Sequence, residues 1–160
     1  MFWRTVFCAV LVSSTYVGSL QASGAAEFGT AENAKAMLER AIAEVKANKL
    51  SAIDKFNHND WPFRDRDLFV FCFNASDGRF TAHEALVAQD VRNLRDGRGR
   101  SVGEEMYRRA MEGQVAEVRF VSPFPGSTQQ VPKRAYITRV GDQVCGVSAY
   151  LYNGPGEPTE

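Results

Sequence analysis

The strongest pattern in the chain is a helical repeat of apolar residues between Thr30 and Phe56. The repeat has spacings of three, four, seven and eight residues and comprises Leu38, Ala41, Ile42, Val45, Ile53 and Phe56. Such spacing puts these side chains on one face of a helix. Thr30 suits the N-cap, and Glu32 suits the positive end of the helix dipole. We predict one long amphipathic helix over residues 30–56, which packs on a core or pairs with a second copy of itself.

A hairpin follows this helix. Residues 57–67 are polar and include Pro62, which predicts a loop. Residues 68–73 form a continuous apolar and aromatic run, which is typical of a strand covered on both faces. The turn formers of residues 74–78 and the returning residues 79–83 complete the predicted hairpin.

The middle of the chain carries a weaker pattern. Residues 84–96 are mixed and predict short helical turns, and the glycines of residues 96–99 interrupt them. Ser101 and Glu104 fit a capping box for a helix that ends at Gly113.

Three more strands are predicted over residues 115–121, 133–140 and 143–152, and a two-residue turn, Gly141-Asp142, joins the last two. The order is helix, two strands, helical region, three strands. Hairpin connections of this kind predict an α+β domain with an antiparallel sheet of about five strands and helices beside it.

The two ends of the chain differ from this pattern. Arg4 precedes an apolar run over residues 5–17 and small residues over 22–26, an order that predicts a secretory signal peptide over residues 1–26. An uncleaved N-terminal anchor is the alternative. We assign residues 27–153 to a single domain and residues 154–160 to a polar tail. Export predicts a periplasmic or secreted location.

Charge and motifs exclude several classes of function. Lys and Arg number 19, as do Asp and Glu, so the basic excess that nucleic-acid binding needs is missing. His58 and His83 are the only histidines and have no paired metal-ligand spacing. Phosphate-loop and serine-nucleophile motifs are also missing from the sequence. We therefore expect no enzyme activity, no cofactor and no metal.

Two cysteines, Cys72 and Cys145, follow the predicted signal peptide. In an oxidising compartment such a pair suggests one disulfide. Two buried free thiols are the alternative.

Several short motifs resemble the single Cache family of sensor domains. They comprise Asp67–Cys72, Asp77-Gly78, Ala82-His83, Leu94–Gly103, Lys133–Tyr136, Val140–Asp142 and Val144–Val147. The resemblance covers residues 30–152 and implies a PAS-like antiparallel sheet with a long N-terminal helix and a helical crossover. It also implies that the strands that carry Cys72 and Cys145 lie side by side. Glu84 departs from the family, which commonly has proline at that position.

The resemblance implies an extracytoplasmic sensor of small molecules, often small organic acids, that works with chemoreceptors or histidine kinases. A carboxylate ligand favours cationic groups, tyrosine hydroxyls and backbone N–H groups. The candidate ligand-binding residues are Arg64, Arg66, His83, Tyr107, Lys133 and Tyr136. Lys133 and Tyr136 match a family pattern that faces the pocket. Strand alternation puts them on opposite faces unless a bulge intervenes or Lys133 precedes the strand.

We therefore expect a small-molecule sensor module that acts in signal transduction or chemotaxis through a membrane receptor or kinase partner. We also expect that the N-terminal helix is the surface for a homodimer. The alternative is a protein-interaction module that kept the fold and lost the ligand; a pocket without a convergent cation would favour it. An enzyme would need a buried carboxylate with a strongly shifted pKa beside His83.

Overall fold

Two helices occupy the region where the sequence predicts one. The computed structural model describes residues 28–151, so the assigned signal peptide and tail lie outside the described residues. Helix α1 spans Ala31–Ala47, and Thr30 caps it as predicted by accepting a hydrogen bond from the Asn33 N–H.

The helix ends at Asn48, which has extended backbone angles and accepts a hydrogen bond from the Ser51 N–H at the start of α2 (Lys49–Asn57). The prediction of one continuous helix is wrong at this residue, because asparagine competes with helical hydrogen bonding.

The sheet is antiparallel throughout. Its strands are β1 (Arg64–Asp65), β2 (Leu68–Asn74), β3 (Phe80–Ala82), β4 (Ala116–Pro123), β5 (Gln130–Val140) and β6 (Gln143–Tyr150). The spatial order is β1-β2-β6-β5-β4, and β3 pairs with β2. The α+β class is confirmed, with six strands where about five were predicted, because the two residues of β1 also pair with β2.

The crossover between β3 and β4 contains a single 3-10 turn (Val91–Asn93) and helix α3 (Val102–Arg109). The predicted capping box is wrong, since the Ser101 side chain makes no capping hydrogen bond. Close packing fixes the start of α3 instead. The Gly103 N–H donates to the Leu94 carbonyl, and a Cβ at Gly103 would lie 1.6 Å from the Val91 carbonyl oxygen.

Side chains alternate along the strands and build two cores. The helix-side core, under α1 and α2, includes Leu38, Phe56, Val70, Tyr136 and Val147. The core on the opposite face, under the crossover, includes Phe73, Val91, Val102, Met106 and Ile137. Each large apolar side chain stabilises the fold by about 1.5–3 kcal/mol when fully buried. The sheet is therefore a central layer with a helix pair behind it and the crossover in front.

A disulfide joins the two central strands. Cys72 of β2 lies directly opposite Cys145 of β6, with Cα atoms 4.1 Å apart, and both side chains are fully buried in the helix-side core. Within residues 28–151, no helix is long and apolar enough to cross a membrane.

Candidate functional site

A cavity of about 180 Å³ lies between the front face of the sheet and the crossover. We name it the ligand cavity. Most of its wall is apolar and consists of Phe69, Phe71, Phe80, Leu86, Leu94, Met106 and Phe120. Its polar lining consists of His83, Ser122, Lys133 and Ser148. A mostly apolar wall with a few polar groups is the usual composition of a small-molecule site.

Lys133 brings a buried positive charge to this cavity. The residue lies on β5 between its cross-strand neighbours Phe120 and Tyr150, and it is only 9% exposed. Its Nζ lies 3.9 Å from the centroid of the Tyr150 ring, a cation–π contact. Among the described residues, Nζ has no hydrogen-bond acceptor and no ion-pair partner. Burial lowers the pKa of Lys133, and the charge of Asp67 opposes that shift.

His83 adds a neutral polar group. Its ring packs against the rings of Phe69 and Phe80, at centroid distances of 5.3 and 5.0 Å. The Ala85 N–H donates to Nδ1 at 3.1 Å, so the neutral ring carries its proton on Nε2. Burial lowers the pKa of His83 to about 4, which makes the ring neutral at pH 7. Nε2 has no hydrogen-bond partner within residues 28–151, so His83 contributes an unused N–H donor to the lining of the cavity.

Comparison with known proteins gives matches among solved structures. No protein-family model and no curated protein matches the sequence. A methyl-accepting chemotaxis protein from Vibrio parahaemolyticus is 21% identical, with a TM-score of 0.58 over 75% of this chain and 87% of that chain. A periplasmic sensor domain of a chemotaxis protein is 23% identical, with a TM-score of 0.54 over 76% and 90%.

The third similar structure is a Cache chemosensory domain described for its carboxylic acid recognition. It is 16% identical, with a TM-score of 0.52 over 76% of this chain and 88% of that chain. This chain has the Cache fold. The shared fold agrees with the sheet, the N-terminal helix and the crossover that the sequence motifs imply.

In this Cache fold, Arg64 and Arg66 lie outside the ligand cavity. They line a neighbouring cavity of about 450 Å³, which Lys133 also lines. Arg64 forms an ion pair with Glu84, the residue that replaces the proline common in Cache domains. Arg66 donates to Asp65 at 2.7 Å and to the Phe28 carbonyl at 3.0 Å. Both guanidinium groups are therefore engaged by the protein itself.

The two candidate tyrosines also lie away from the ligand cavity. The Tyr107 hydroxyl donates to the Ala75 carbonyl at 3.0 Å, and its ring stacks on Phe73. Tyr136 is fully buried in the helix-side core, and Lys35 lies 4.9 Å from its ring centroid. The register of β5 is continuous from Lys133 to Tyr136, so the two side chains point to opposite faces.

The structure thus brings Lys133 and His83 together in one cavity and leaves the other four candidates elsewhere. Ser122 and Ser148 also line the ligand cavity, although neither was predicted from the sequence. The alternation of side chains along the strands could have indicated both serines. Ser148 lies opposite Ala135 and Ser122 opposite Val131, and both partners lie on the same face of β5 as Lys133. Within the described residues, no cluster of His, Cys, Asp and Glu is able to hold a metal ion.

Proposed function

We propose that this chain is an extracytoplasmic sensor module that binds a small organic acid in the ligand cavity and reports occupancy to a partner. The observation that carries the proposal is the ammonium group of Lys133, which is buried in a largely apolar cavity and has no hydrogen-bond acceptor or ion-pair partner among residues 28–151, although the charge of Asp67 acts on it. A buried charge without a partner is costly, and an anionic ligand removes that cost.

The cavity suits a short monocarboxylate. One carboxylate oxygen would accept a charge-assisted hydrogen bond from Lys133 Nζ, and His83 Nε2–H would donate to the same group. The aromatic wall would cover the hydrocarbon part of the acid. The volume of about 180 Å³ is well below the roughly 300–1,000 Å³ of typical drug-sized sites, which favours an acid of few carbon atoms.

The partner in this proposal is a membrane receptor or a kinase. Two of the similar structures are chemotaxis proteins or their sensor domains, and one of these is described as periplasmic. We propose the same kind of location, periplasmic or secreted, for this chain after removal of residues 1–26. Binding without catalysis is the role that we assign to the ligand cavity, and α1 is the surface that we assign to homodimerisation.

A thermal-shift panel of two- to five-carbon carboxylates tests the proposal. We expect at least one acid to raise the Tm of the purified protein by on the order of 5–10 °C near saturation, because it binds only the native state. Lys133→Met should abolish this rise. The same substitution should leave the Tm of the ligand-free protein unchanged or higher, since methionine needs no anion in an apolar site.

Lys35→Met is the matched control, because Lys35 lies on the helix side of the sheet and pairs with the partly exposed Glu117. It should keep the full response to the acid. A flat response of the wild-type protein to every acid, or a Lys133→Met variant that responds like the wild type, would contradict ligand sensing. A flat response would favour the ligand-free interaction module.

A further inference from the structure

A third cavity, of about 450 Å³, opens beside β4 and β5. We name it the arginine cavity, because Arg98, Arg100 and Arg119 line it together with Lys133. Phe120 and Lys133 line both this cavity and the ligand cavity. Arg98 and Arg119 do not line the ligand cavity, so the arginine cavity has chemistry of its own.

The protein neutralises only part of the positive charge of the arginine cavity, because Arg100 alone among the three arginines pairs with carboxylates of the described residues, Asp96 at 3.4 Å and Glu105 at 3.8 Å. Asp96 is the single acidic residue in its described lining. That carboxylate is already occupied, because it accepts the backbone N–H groups of Arg98 at 3.0 Å and Arg100 at 2.9 Å. The guanidinium groups of Arg98 and Arg119 make no hydrogen bond or ion pair with residues 28–151.

Backbone hydrogen bonds fix the turn that carries Arg98 and Arg100 beside the strand that carries Arg119. The carboxylate of Asp96 organises the turn over residues 96–100, and the Asp96 N–H donates to the Arg100 carbonyl at 3.0 Å. The Gly97 N–H donates to the Val121 carbonyl on β4, also at 3.0 Å. This bond fixes the turn beside the strand that carries Arg119. The backbone positions of Arg98 and Arg119 are thus fixed on neighbouring elements before any ligand binds, which lowers the backbone part of the entropy cost of binding.

We propose that the arginine cavity is a second binding site, which takes a small anion with at least two negative charges, such as a polycarboxylate or a phosphate-bearing compound. Arg98, Arg119 and Lys133 have no ion-pair partner among residues 28–151, and together they carry more positive charge than a single carboxylate neutralises. The planar guanidinium groups of Arg98 and Arg119 match the paired oxygens of carboxylate and phosphate groups.

Titration calorimetry of the purified protein with citrate, pyrophosphate and acetate in dilute chloride buffer tests this site. We expect citrate or pyrophosphate to bind and added salt to weaken the binding. The double variant Arg98→Gln/Arg119→Gln should weaken it by about tenfold or more. Binding of citrate alone identifies a polycarboxylate site, and binding of pyrophosphate alone identifies a phosphate site.

The matched control is Arg40→Gln/Lys46→Gln on α1, which removes the same charge from exposed residues outside the arginine cavity. It should bind the polyvalent anion within about twofold of the wild type. The proposal is overturned if neither polyvalent anion binds, if the arginine variant binds as the wild type does, or if the control loses as much affinity.

A monocarboxylate separates this inference from the proposed function. The acid that raises the Tm of the wild-type protein should raise the Tm of the Arg98→Gln/Arg119→Gln variant equally, because neither arginine lines the ligand cavity. If the variant loses both this Tm response and the binding of the polyvalent anion, the assignment of two separate sites is overturned. If no monocarboxylate raises the Tm of the wild type while the polyvalent anion binds, the proposed function is wrong and the proposal of a second site in the arginine cavity is unaffected.

Discussion

At the scale of single residues, the ligand cavity combines two polar groups that differ in charge. Lys133 brings an ammonium group, and His83 brings a ring that burial keeps neutral, with a pKa of about 4. A neutral imidazole does not repel the ammonium group, so both are able to donate to one carboxylate at pH 7. The neutral state of His83 has its own effect on stability.

We expect acid to destabilise the protein through His83. The pKa of His83 is lowered on folding from 6.5 to about 4, so the unfolded state binds a proton in a pH range where the folded state does not. The contribution is fully present above pH 6.5 and is lost as the pH falls towards 4. After allowance for partial exposure, the loss is about 1–2 kcal/mol. Urea unfolding at pH 7 and pH 4.5 should show the wild type losing more stability than His83→Gln.

His58 provides the control for this pH effect. Its ring is exposed, and the Asp54 backbone carbonyl, aided by the Asp54 charge, raises its pKa, so its contribution has the opposite sign. His58→Gln should therefore retain the acid sensitivity of the wild type. Equal pH dependence in the wild type and in His83→Gln would contradict a buried neutral His83.

At the scale of secondary-structure elements, the break at Asn48 determines how the two helices meet the sheet. Helix α2 packs at the end of the sheet through Phe56, whose ring lies 4.8 Å from that of Phe63. Lys49 at its start lies 2.6 Å from Asp142 in the turn between β5 and β6. A continuous helix would carry these two contacts away from the sheet.

We expect Asn48→Ala to lower the free energy of unfolding by about 1 kcal/mol, because the Ser51 N–H loses its acceptor. Asn48→Asp should stay within about 0.5 kcal/mol of the wild type, since aspartate caps equally well. Urea unfolding monitored by circular dichroism measures both. An alanine variant as stable as the aspartate variant would show that the cap contributes nothing.

At the scale of the whole molecule, the disulfide closes a loop that contains β3, the crossover, β4 and β5. Its cysteines are 73 residues apart in sequence and lie on adjacent central strands. Most of the lining of both the ligand cavity and the arginine cavity belongs to this loop. Restriction of such a long loop in the unfolded chain stabilises the native state.

We expect Cys72→Ala/Cys145→Ala to lose about 2–4 kcal/mol of unfolding free energy. Dithiothreitol in the denaturation series should lower the stability of the wild type towards that of the variant. The variant itself should not respond to the reductant. A wild type that resists both urea and reductant to the same extent as the variant would contradict a stabilising role for the bond.

Most of this architecture can be predicted from the sequence, because the order of elements follows from periodicity and turn chemistry. The turn at Gly141-Asp142 and the Thr30 cap are local signals, and both are present as predicted. The break at Asn48 was not predicted, because the apolar spacing continues across it from Val45 to Ile53. The periodicity of apolar residues indicates which face of a helix is buried, but it does not indicate a change in the direction of the helix axis.

The site is less predictable, because it depends on contacts between distant parts of the chain. The Tyr107 hydroxyl donates to a carbonyl 32 residues away, which no local pattern indicates. Arg98 and Arg119 line the same cavity because the hydrogen bond from Gly97 to Val121 holds the turn beside β4. The ligand-binding roles of Lys133 and His83 stay predictions for the variants above to test.

The alternation of β5 would couple the two faces of the sheet in the proposed function. Lys133 faces the ligand cavity, and Tyr136, three positions along the same strand, presses on the core beneath α1. If a bound acid displaced Lys133, the movement would pass along β5 to Tyr136 and from there to the core beneath α1. In that case the single layer of the sheet would carry the movement from the ligand cavity to α1.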